Sequence, residues 1–263
     1  MFVKSKRHLI IQQTAIDSTV QLRHLRWHTQ CMNTTDRERR CSMEKQPFEI
    51  DIAMVRIREA VQPYPKAAMF ELRDDGFGSP FEQLIACMLS VRTRDEVSLV
   101  TARRLFEVAR TPDAMADLTP GKIDALVPDV TFHERKAAQI RDIAIRVRDD
   151  YDNMLPCDAE IMQSFAGIGP KCANLALGIA CGQQRISVDI HVHRVTNRWG
   201  YVATNTPEQT MTALQKTLPL EYWVEINERL VPFGKHVCTG TRPKCSTCPV
   251  LEMCRQVGVT GHR

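Results

Sequence analysis

From residue 47 onward, apolar residues recur at spacings of three and four, the period of one face of an α-helix. The clearest helix starts at Ser79-Pro80, because proline suits the first helical position. Its apolar face is formed by Phe81, Leu84, Ile85, Met88 and Leu89. The pattern therefore predicts a buried helix directly after Ser79.

Similar patterns predict further helices along the chain, and Asp95 is expected to cap the next one. The apolar positions of that helix are Val97, Val100, Leu105, Phe106 and Ala109. The remaining predicted helices span 111–117, 120–127, 134–150, 158–165, 170–181, 189–199, 207–217 and 221–231. Proline and glycine separate them, and no stretch alternates as a strand would. The sequence therefore predicts an all-α fold of short helices joined by short loops.

Residues 1–46 differ from the rest because they show no sustained helical or strand period. They hold nine Lys or Arg and four Asp or Glu, a net charge of +5. The rest of the chain holds the other 26 basic and 27 acidic residues, a net charge of −1. We interpret residues 1–46 as a mobile extension, either a solvated tail or an arm that attracts phosphate. Nucleic-acid binding by residues 47–263 would then depend on local basic groups.

The composition is that of a globular protein, since 43% of the 263 residues are hydrophobic and 6% are aromatic. It excludes general disorder, collagen and a coiled coil. The apolar stretch at residues 9–11 is too short for a signal peptide, and the weakly polar run at 172–181 is too short to cross a bilayer. We therefore expect an intracellular protein with no membrane segment, whose ten cysteines are free or metal-bound rather than paired in disulfides.

Four of the cysteines lie within seventeen residues near the C-terminus. This group consists of Cys238, Cys245, Cys248 and Cys254. Deprotonated sulfur suits zinc or an iron–sulfur cluster, and the spacing alone does not separate the two. Four reduced structural cysteines are a third interpretation. The cysteines expected to pack in or near helices are Cys87, Cys157, Cys172 and Cys181. Cys31 and Cys41 have no assigned role.

A second constellation is the segment FAGIGPK at residues 165–171, between two predicted helices. Glycine permits φ > 0, so Gly167 and Gly169 can form a tight hairpin before a helix that starts at Pro170. Backbone N–H groups at such a helix N-terminus can hold a phosphate. The helix macrodipole should lower the pKa of Lys171 and make its amine a usable nucleophile. A plain helix–helix turn with a surface lysine is the alternative.

The third constellation is Asp-x-His-x-His at residues 189–193. On a strand, Asp189, His191 and His193 would share a face and could hold a metal ion. On the predicted helix, His191 points away from the other two, and Asp189 suits a helix cap or a carboxylate beside Lys171. The two histidines are then packing residues or phosphate contacts.

Residues 47–258 resemble the endonuclease III family, the iron–sulfur group of the helix-hairpin-helix DNA glycosylases. The matching segments, in chain order, are SPFEQLIACMLS, FAGIGPKCANLALGIA, ISVDIHVHRVTNRWG, ERLVPFGKHVC and the four-cysteine spacing. The resemblance implies two α-helical domains with a DNA-binding cleft between them. One domain, residues 74–183, has six helices and ends in the helix-hairpin-helix motif. The other joins residues 47–73 to 184–263 and holds a [4Fe–4S] cluster in a C-terminal loop.

The resemblance also implies base-excision repair by a bifunctional DNA N-glycosylase and AP lyase. Its partner would be double-stranded DNA that contains damaged pyrimidines or abasic sites. Lys171 matches the family's catalytic lysine and Asp189 its catalytic aspartate. Neutral Lys171 would attack C1′ of a flipped nucleotide, and β-elimination from the resulting Schiff base would cut the strand. The residues that match the ligands of the [4Fe–4S] cofactor are Cys238, Cys245, Cys248 and Cys254, so the resemblance favours iron–sulfur over zinc.

Seven further residues are expected to contact DNA, most of them through phosphates. They are Gly167 and Gly169 in the hairpin, Arg242 and Lys244 in the cluster loop, Arg92 and Phe132 in two loops at the flipped base, and His191. Such contacts would position a duplex of any sequence, as a scanning repair enzyme requires.

Three positions depart from the family pattern. Phe165-Ala166 replaces Leu-Pro, and the loss of the proline should loosen the hairpin turn and let the phenylalanine repack it. Arg92 stands where glutamine is frequent, which should alter the preference for the opposite base. Thr131 stands where glycine is usual, directly before the wedge residue Phe132. Because a β-branched residue disfavours φ > 0, we expect this loop to adopt another shape.

A second hypothesis is a catalytically weak DNA-binding paralogue that serves damage recognition or responds to redox state. It would keep the fold and the cluster while its altered loops fail to flip bases. The presence of both Lys171 and Asp189 favours the enzyme. In either case we expect a monomer, located in the cytoplasm and nucleoid of a bacterium or in the nucleus or mitochondrion of a eukaryote.

Overall fold

The computed structural model describes residues 45–263. These residues form helices and no strand, which confirms the predicted all-α fold. The α-helices are α1 (Ile50–Val61), α2 (Ala68–Asp74), α3 (Pro80–Ser90), α4 (Asp95–Val108), α5 (Pro112–Ala116), α6 (Pro120–Leu126), α7 (His133–Asp150), α8 (Ala159–Gln163), α9 (Pro170–Cys181), α10 (Ile190–Trp199), α11 (Pro207–Thr217) and α12 (Glu225–His236). Single 3₁₀ turns span Leu220–Tyr222 and Cys245–Thr247. None of the described helices is long and apolar enough to span a membrane.

Helix α3 begins as its sequence predicts, with a reciprocal cap. The Glu82 N–H donates to Ser79 Oγ at 3.2 Å, and the Ser79 N–H donates to the Glu82 carboxylate at 2.9 Å. Pro80 occupies the first helical position. All residues from Phe81 to Leu89 are buried, so α3 is enclosed by the rest of the fold.

The start of α4 differs from the prediction by one residue. Arg94 precedes the helix, and Asp95 is its first residue rather than its cap. The carboxylate of Asp95 still lies at the positive end of the helix, where negative charge is favourable. The predicted apolar face is also wrong in part, because Val100 is 59% exposed while Leu99 is buried.

The segment predicted as one helix over 221–231 is divided. A 3₁₀ turn ends at Tyr222, and α12 starts only at Glu225. The break lies at Trp223, whose indole N–H donates to the Leu218 carbonyl at 3.0 Å. Helix α12 then continues through Pro232 to His236, further than predicted.

Two clusters of buried apolar side chains hold the described residues together. The first cluster draws on residues 67–177 and on Val231 of α12, with Phe70 and Phe106 among its largest members. The second cluster joins α1 to residues 186–254 around Trp199 and Phe233. Helix α1 contributes Ala53, Met54, Ile57 and Val61 to the second cluster. The division into a domain of residues 74–183 and a domain that joins 47–73 to 184–263, with a DNA-binding cleft between them, stays a prediction.

The expectation that no cysteines are paired in disulfides is wrong for Cys157 and Cys181. They form a disulfide with their Cα atoms 5.9 Å apart. Cys157 lies in the loop before α8 and Cys181 is the last residue of α9. The α8–α9 hairpin therefore brings the end of α9 back beside the loop that precedes α8. Gln183 supports this return, because its side-chain amide donates to the Cys157 carbonyl at 2.7 Å.

The predicted extension, residues 1–46, falls almost entirely outside the described residues, as do Cys31 and Cys41. Its last two residues are described and pack on the C-terminal loop. The Lys45 ammonium donates to the Leu251 carbonyl at 2.8 Å, and the Gln46 N–H donates to the Glu252 carbonyl at 3.1 Å.

Candidate functional site

The hairpin between α8 and α9 is tight because one glycine adopts a left-handed conformation. Gly167 has φ of +88°, and a Cβ there would also lie 2.9 Å from the Gln139 amide. Gly169 caps α9 with an ordinary φ of −105°, so only one of the two glycines needs its conformational freedom. A Cβ at Gly169 would meet nothing within 4 Å, and this face of the hairpin is open. The N–H groups of the first turn of α9 can therefore receive an anion.

Phe165 repacks the hairpin turn. Its side chain is buried in the first cluster, and the Arg146 guanidinium lies 4.7 Å from its ring centre. The Ile168 N–H donates to the Phe165 carbonyl at 3.1 Å, which closes the turn without a proline. The departure at Phe165-Ala166 thus leaves the turn packed and hydrogen-bonded.

Lys171, the second residue of α9, is half-buried at the open end of the hairpin. Burial lowers the pKa of its ammonium, but nearby Cys87, Asp189 and Cys172 raise it, and the net pKa lies above the ordinary 10.5. The expected lowering by the macrodipole is therefore wrong in direction, because acidic groups face this helix end. The amine has to lose a proton before it can act as a nucleophile.

Asp189 is the cap of α10, which confirms one of its two predicted roles. Its Oδ1 accepts the N–H groups of His191 and Val192, both at 2.9 Å. The neighbouring Ser187 hydroxyl donates to the Lys171 carbonyl at 3.2 Å. The start of α10 is thus tied to the start of α9, and the Asp189 carboxylate acts on Lys171 through its charge.

The two histidines of α10 take part in packing rather than in a metal site. His191 packs on Gly234, where an added Cβ would lie 2.9 Å from the His191 Cβ. Its Nδ1 lies 3.0 Å from the Arg194 guanidinium, and burial lowers its pKa. His193 Nδ1 contacts the Thr210 hydroxyl at 2.7 Å. Within residues 45–263, no three His, Cys, Asp or Glu side chains converge on one metal-ion position.

Arg92 and Phe132, from two separate loops, lie side by side on the surface. The Arg92 guanidinium is 5.8 Å from the Phe132 ring centre, and the ring is 58% exposed. Both residues adopt positive φ, +57° for Arg92 and +60° for Phe132. Thr131 joins the loops, since its hydroxyl donates to the Arg92 carbonyl at 2.8 Å and its N–H donates to Thr93 Oγ1 at 3.1 Å. The left-handed residue in this loop is thus Phe132, not Thr131.

Lys136, which the sequence did not single out, holds the Arg92 loop in place. Its ammonium is buried on α7 and donates to the carbonyls of Leu89 and Val91, at 2.9 and 2.8 Å. These carbonyls lie at the C-terminal end of α3, where helical partners are lacking. Burial lowers the pKa of Lys136 to about 8. The sequence feature that could have identified Lys136 is its position on the apolar face of α7, four residues before Ile140.

The four C-terminal cysteines surround one small cavity that Trp199, Phe233 and Leu251 also line. N–H donors face two of the sulfurs, with Arg198 Nη1 3.5 Å from Cys238 Sγ and the Gln256 N–H nitrogen 3.4 Å from Cys254 Sγ. Such contacts stabilise thiolates that bind a metal centre. Burial raises the pKa of Cys248 to about 12, and a positive centre beside this sulfur would favour its ionised form. Four such sulfurs around a cavity fit a soft, multinuclear metal group.

Arg198 fixes the loop between Cys238 and Cys245 through hydrogen bonds to its backbone. Its guanidinium donates to the carbonyls of Thr239 and Gly240, at 2.6 and 2.7 Å. Arg242 is exposed on this loop with φ of +47°, and Lys244 is half-buried at its end. The structure therefore places both cations on one fixed loop.

A family model for the HhH-GPD superfamily of base excision DNA repair proteins matches residues 85–220. Endonuclease III of Thermotoga maritima is 36% identical over 197 residues, which cover 75% of this chain and 89% of that protein. Endonuclease III homolog 1 of Arabidopsis thaliana, a chloroplastic protein, is 40% identical over 183 residues, 66% of this chain and 48% of that protein.

A solved structure of a trapped endonuclease III–DNA covalent intermediate, an estranged-adenine complex, has the same fold. It matches with a TM-score of 0.63 at 28% identity and covers 77% of this chain and 96% of that chain. The helical hairpin and the start of α10, which Asp189 caps, lie within residues 85–220, the part of the chain that the family model matches. The chain belongs to the HhH-GPD superfamily of base excision DNA repair proteins, and within it to the endonuclease III family of DNA glycosylases.

Proposed function

We propose that this protein is a bifunctional DNA N-glycosylase and AP lyase that removes oxidised pyrimidines from duplex DNA. The observation that carries the proposal is the pairing of Lys171 and Asp189 at the N-terminal ends of α9 and α10, tied together through Ser187. The covalent complex known for a solved endonuclease III supports a nucleophilic side chain in this fold. The protein acts as a monomer on DNA inside the cell.

Lys171 is the nucleophile. The damaged nucleotide must leave the stack, because its C1′ atom is out of reach while the base is paired. The neutral Lys171 amine attacks C1′, the bond to the base breaks, and the base leaves with a proton. Opening of the sugar ring gives an imine with Lys171. The imine acidifies the C2′ proton, and its removal expels the 3′ phosphate oxygen by β-elimination.

Asp189 stabilises the positive charge that develops on the sugar and accepts a proton from the attacking amine. Its Oδ1 is fixed by the His191 and Val192 N–H groups, which leaves Oδ2 for the reacting atoms. The same carboxylate raises the pKa of Lys171. We therefore expect the rate of the lysine-dependent step to rise with pH above neutrality.

Residues around the two helix ends hold the duplex. The N–H groups near Gly167 and Gly169 bind one phosphate, and Arg242 and Lys244 bind another. Arg92 and Phe132 occupy the space that the flipped nucleotide leaves, since they project together from two loops. The half-buried His191 supports the start of α10 beside the bound phosphate.

We propose that the four cysteines around the cavity bind a [4Fe–4S] cluster. They are Cys238, Cys245, Cys248 and Cys254. When bound, the cluster supplies a rigid multinuclear core that fixes the loop between its first two ligands. The chain's own part is to present Arg242 and Lys244 on that loop, with Arg198 holding the loop carbonyls. Cys245→Ser should remove the brown colour, iron and sulfide of the purified protein and weaken DNA binding.

The lyase assignment is tested by borohydride trapping on a duplex with an abasic site. We expect a covalent protein–DNA adduct that Lys171→Gln abolishes. The exposed Lys216 on α11 offers a matched control, and Lys216→Gln should form the adduct at the wild-type rate. Wild-type protein loaded with its cluster that forms no adduct would exclude the lyase and favour a DNA-binding paralogue.

The glycosylase assignment is tested separately with duplexes that carry defined lesions. Oxidised pyrimidines should be released faster than oxidised purines. Asp189→Asn should slow base release by about 10²–10⁴-fold. An equal rate in that variant would remove Asp189 from the catalytic step.

A further inference from the structure

Cys87 and Cys172 form a close thiol pair directly beside Lys171. Their Sγ atoms lie 2.9 Å apart, with Cys87 on α3 and Cys172 on α9. Both side chains are buried in the first cluster, at 0% and 3% exposure. Cys172 follows Lys171 in the chain, so the pair connects the lysine-bearing end of α9 to the helix packed against it.

The geometry already approaches that of a covalent bond. A disulfide is about 2.05 Å long, so bond formation requires the two sulfurs to approach by about 0.9 Å. The contact lowers the pKa of Cys87, which receives stabilisation from the Cys172 thiol, and raises the pKa of Cys172. Cys87 is therefore the more acidic member of the pair and forms the thiolate more readily.

We propose that Cys87 and Cys172 are a redox-active dithiol that a peroxide oxidises to a disulfide, which locks α3 to α9 beside Lys171. The Cys87 thiolate attacks a peroxide oxygen, the O–O bond breaks, and hydroxide leaves to give a sulfenic acid. The Cys172 sulfur attacks that sulfur, the S–O bond breaks, and the oxygen leaves as water. Two thiols are oxidised by two electrons, and one hydrogen peroxide is reduced to two waters.

This pair differs from the disulfide Cys157–Cys181, which lies at the opposite end of α9. Cys157 is exposed and its partner Cys181 is the last residue of α9, whereas Cys172 directly follows the half-buried Lys171 at the start of that helix. We expect a small oxidant to reach the inner pair from the side of Lys171, because Cys87 has no exposed surface and Cys172 retains 3%. Oxidation would then fix α9 at both of its ends.

Oxidation also changes the charges around Lys171. The acidic groups that face its amine are Cys87 on α3, Cys172 on α9, Asp189 before α10 and Asp95 at the start of α4. Two cations lie among these groups: Lys136 faces the two sulfurs from α7, and the Lys235 ammonium of α12 lies 3.3 Å from the Asp95 carboxylate. A disulfide removes both ionisable thiols and leaves the carboxylates. Because the thiols raise the pKa of Lys171, their loss should lower it.

The cross-link is tested by mass spectrometry of tryptic peptides from the full chain after treatment with hydrogen peroxide. Cys87 lies in the peptide 74–92, Cys172 and Cys181 share 172–185, and Cys157 lies in 149–171. In the double variant Cys157→Ala, Cys181→Ala, a link between 74–92 and 172–185 can only join Cys87 to Cys172. We expect that linked pair, with the loss of two hydrogen atoms, and its disappearance on reduction.

The outcome that overturns the proposal is peroxide treatment that oxidises either cysteine to sulfinic acid, or leaves both as thiols, without linking the two peptides. Cys172→Ala, and independently Cys87→Ala, must abolish the link. This measurement does not depend on DNA or on catalysis, so its failure is distinguishable from failure of the proposed glycosylase and lyase function.

A second measurement follows the effect on the amine. In borohydride trapping across a pH series, the pH range over which the trapping rate rises should move to lower pH after oxidation. Reduction should return that range to its original position. In Cys87→Ala the trapping rate should rise at the lower pH without any oxidant, and peroxide should not change its pH dependence. An identical pH profile for reduced and oxidised protein would show that the cross-link does not act on Lys171.

Discussion

Arg92 and Phe132 both adopt a strained backbone conformation with positive φ. A positive φ is unfavourable for residues with a Cβ, and two such residues next to each other cost about 1–3 kcal/mol each. The Thr131 hydroxyl and N–H offset part of this cost by joining the two loops. The exposed ring and guanidinium are thereby presented together on the surface.

Phe132→Ala tests this arrangement at the level of DNA binding. We expect affinity for a duplex with an abasic site to fall about tenfold, because stacking of an aromatic ring on a base contributes about 1–3 kcal/mol. Affinity for intact duplex and the free energy of unfolding should change little, since the ring is 58% exposed. A gel-shift comparison of the two duplexes measures the difference. An equal loss on both would contradict a role at the flipped nucleotide.

Lys136 supports the same surface from inside. Lys136→Met would leave the Leu89 and Val91 carbonyls without their donor, which should lower the free energy of unfolding by about 1–3 kcal/mol. Urea unfolding monitored by circular dichroism measures this. The exposed Lys122 on α6 provides the control, and Lys122→Met should leave stability unchanged. Equal midpoints for both variants would mean that the buried ammonium contributes nothing net.

Residue-level contacts were the least predictable from sequence. The lysine and aspartate at two helix starts are visible in GIGPK and VDIHVHR, yet the raised pKa of Lys171 depends on Cys87, which is 84 positions away in the chain. The Cys157–Cys181 disulfide likewise depends on where the hairpin returns the chain. Sequence spacing carries no information about such through-space neighbours.

At the scale of the element, helix starts were predictable because their signals are local. Ser79-Pro80 and Asp189 lie where their side chains predict, within one turn of the groups they bind. The break at Trp223 was not predictable, because it depends on an indole hydrogen bond to Leu218 and on packing against the second cluster. A period of 3.6 continues through such a break without a visible change.

The start of α12 is joined to α1 by a carboxylate between two guanidinium groups. Glu225 accepts two hydrogen bonds from Arg58, at 2.6 and 2.7 Å, and one from Arg229 at 3.0 Å. The hydrogen bonds from Arg58 hold the pKa of Glu225 below its ordinary 4.5. The pair therefore stabilises the fold above about pH 4.5, and this stabilisation disappears as the pH falls through the lowered pKa.

Glu225→Gln should lower the free energy of unfolding at pH 7 by about 1.5–3 kcal/mol, the range for hydrogen bonds to charged groups. The difference from wild type should shrink as the pH falls below 4.5, because the wild-type carboxylate is then protonated. Urea unfolding at a series of pH values measures both effects. Glu134→Gln, at an exposed position on α7, is the control. A difference that does not vary with pH would exclude the ionic contribution.

At the scale of the whole molecule, the charge distribution bears on how DNA is held. The chain beyond residue 46 has a net charge of −1, so overall attraction to DNA is absent there. DNA binding would then depend on a few placed donors, and we propose Arg242 and Lys244, on the loop between Cys238 and Cys245, as two of them. The all-α architecture was predictable from periodicity, whereas the packing of residues 45–46 against the C-terminal loop was not, because those residues carry no periodic signal.

The double variant Arg242→Gln, Lys244→Gln should reduce the dependence of DNA affinity on salt. Each phosphate contact contributes about 0.9 to the slope of log affinity against log salt, so the slope should fall by about 1–2. Fluorescence anisotropy at several salt concentrations measures it. Folding should be unaffected because Arg242 is exposed and Lys244 half-buried. An unchanged slope would show that Arg242 and Lys244 do not contact DNA phosphates.

The contribution of α1 to the second cluster has a consequence for biosynthesis. Helix α1 is among the first described elements to be translated, yet its apolar residues pack against side chains from residues 186–254, which are translated last. At about 5–20 residues per second, the ribosome would leave this apolar face uncovered for many seconds. The nascent chain is therefore expected to depend on a chaperone, or on transient contacts within the first cluster, until its C-terminal part emerges.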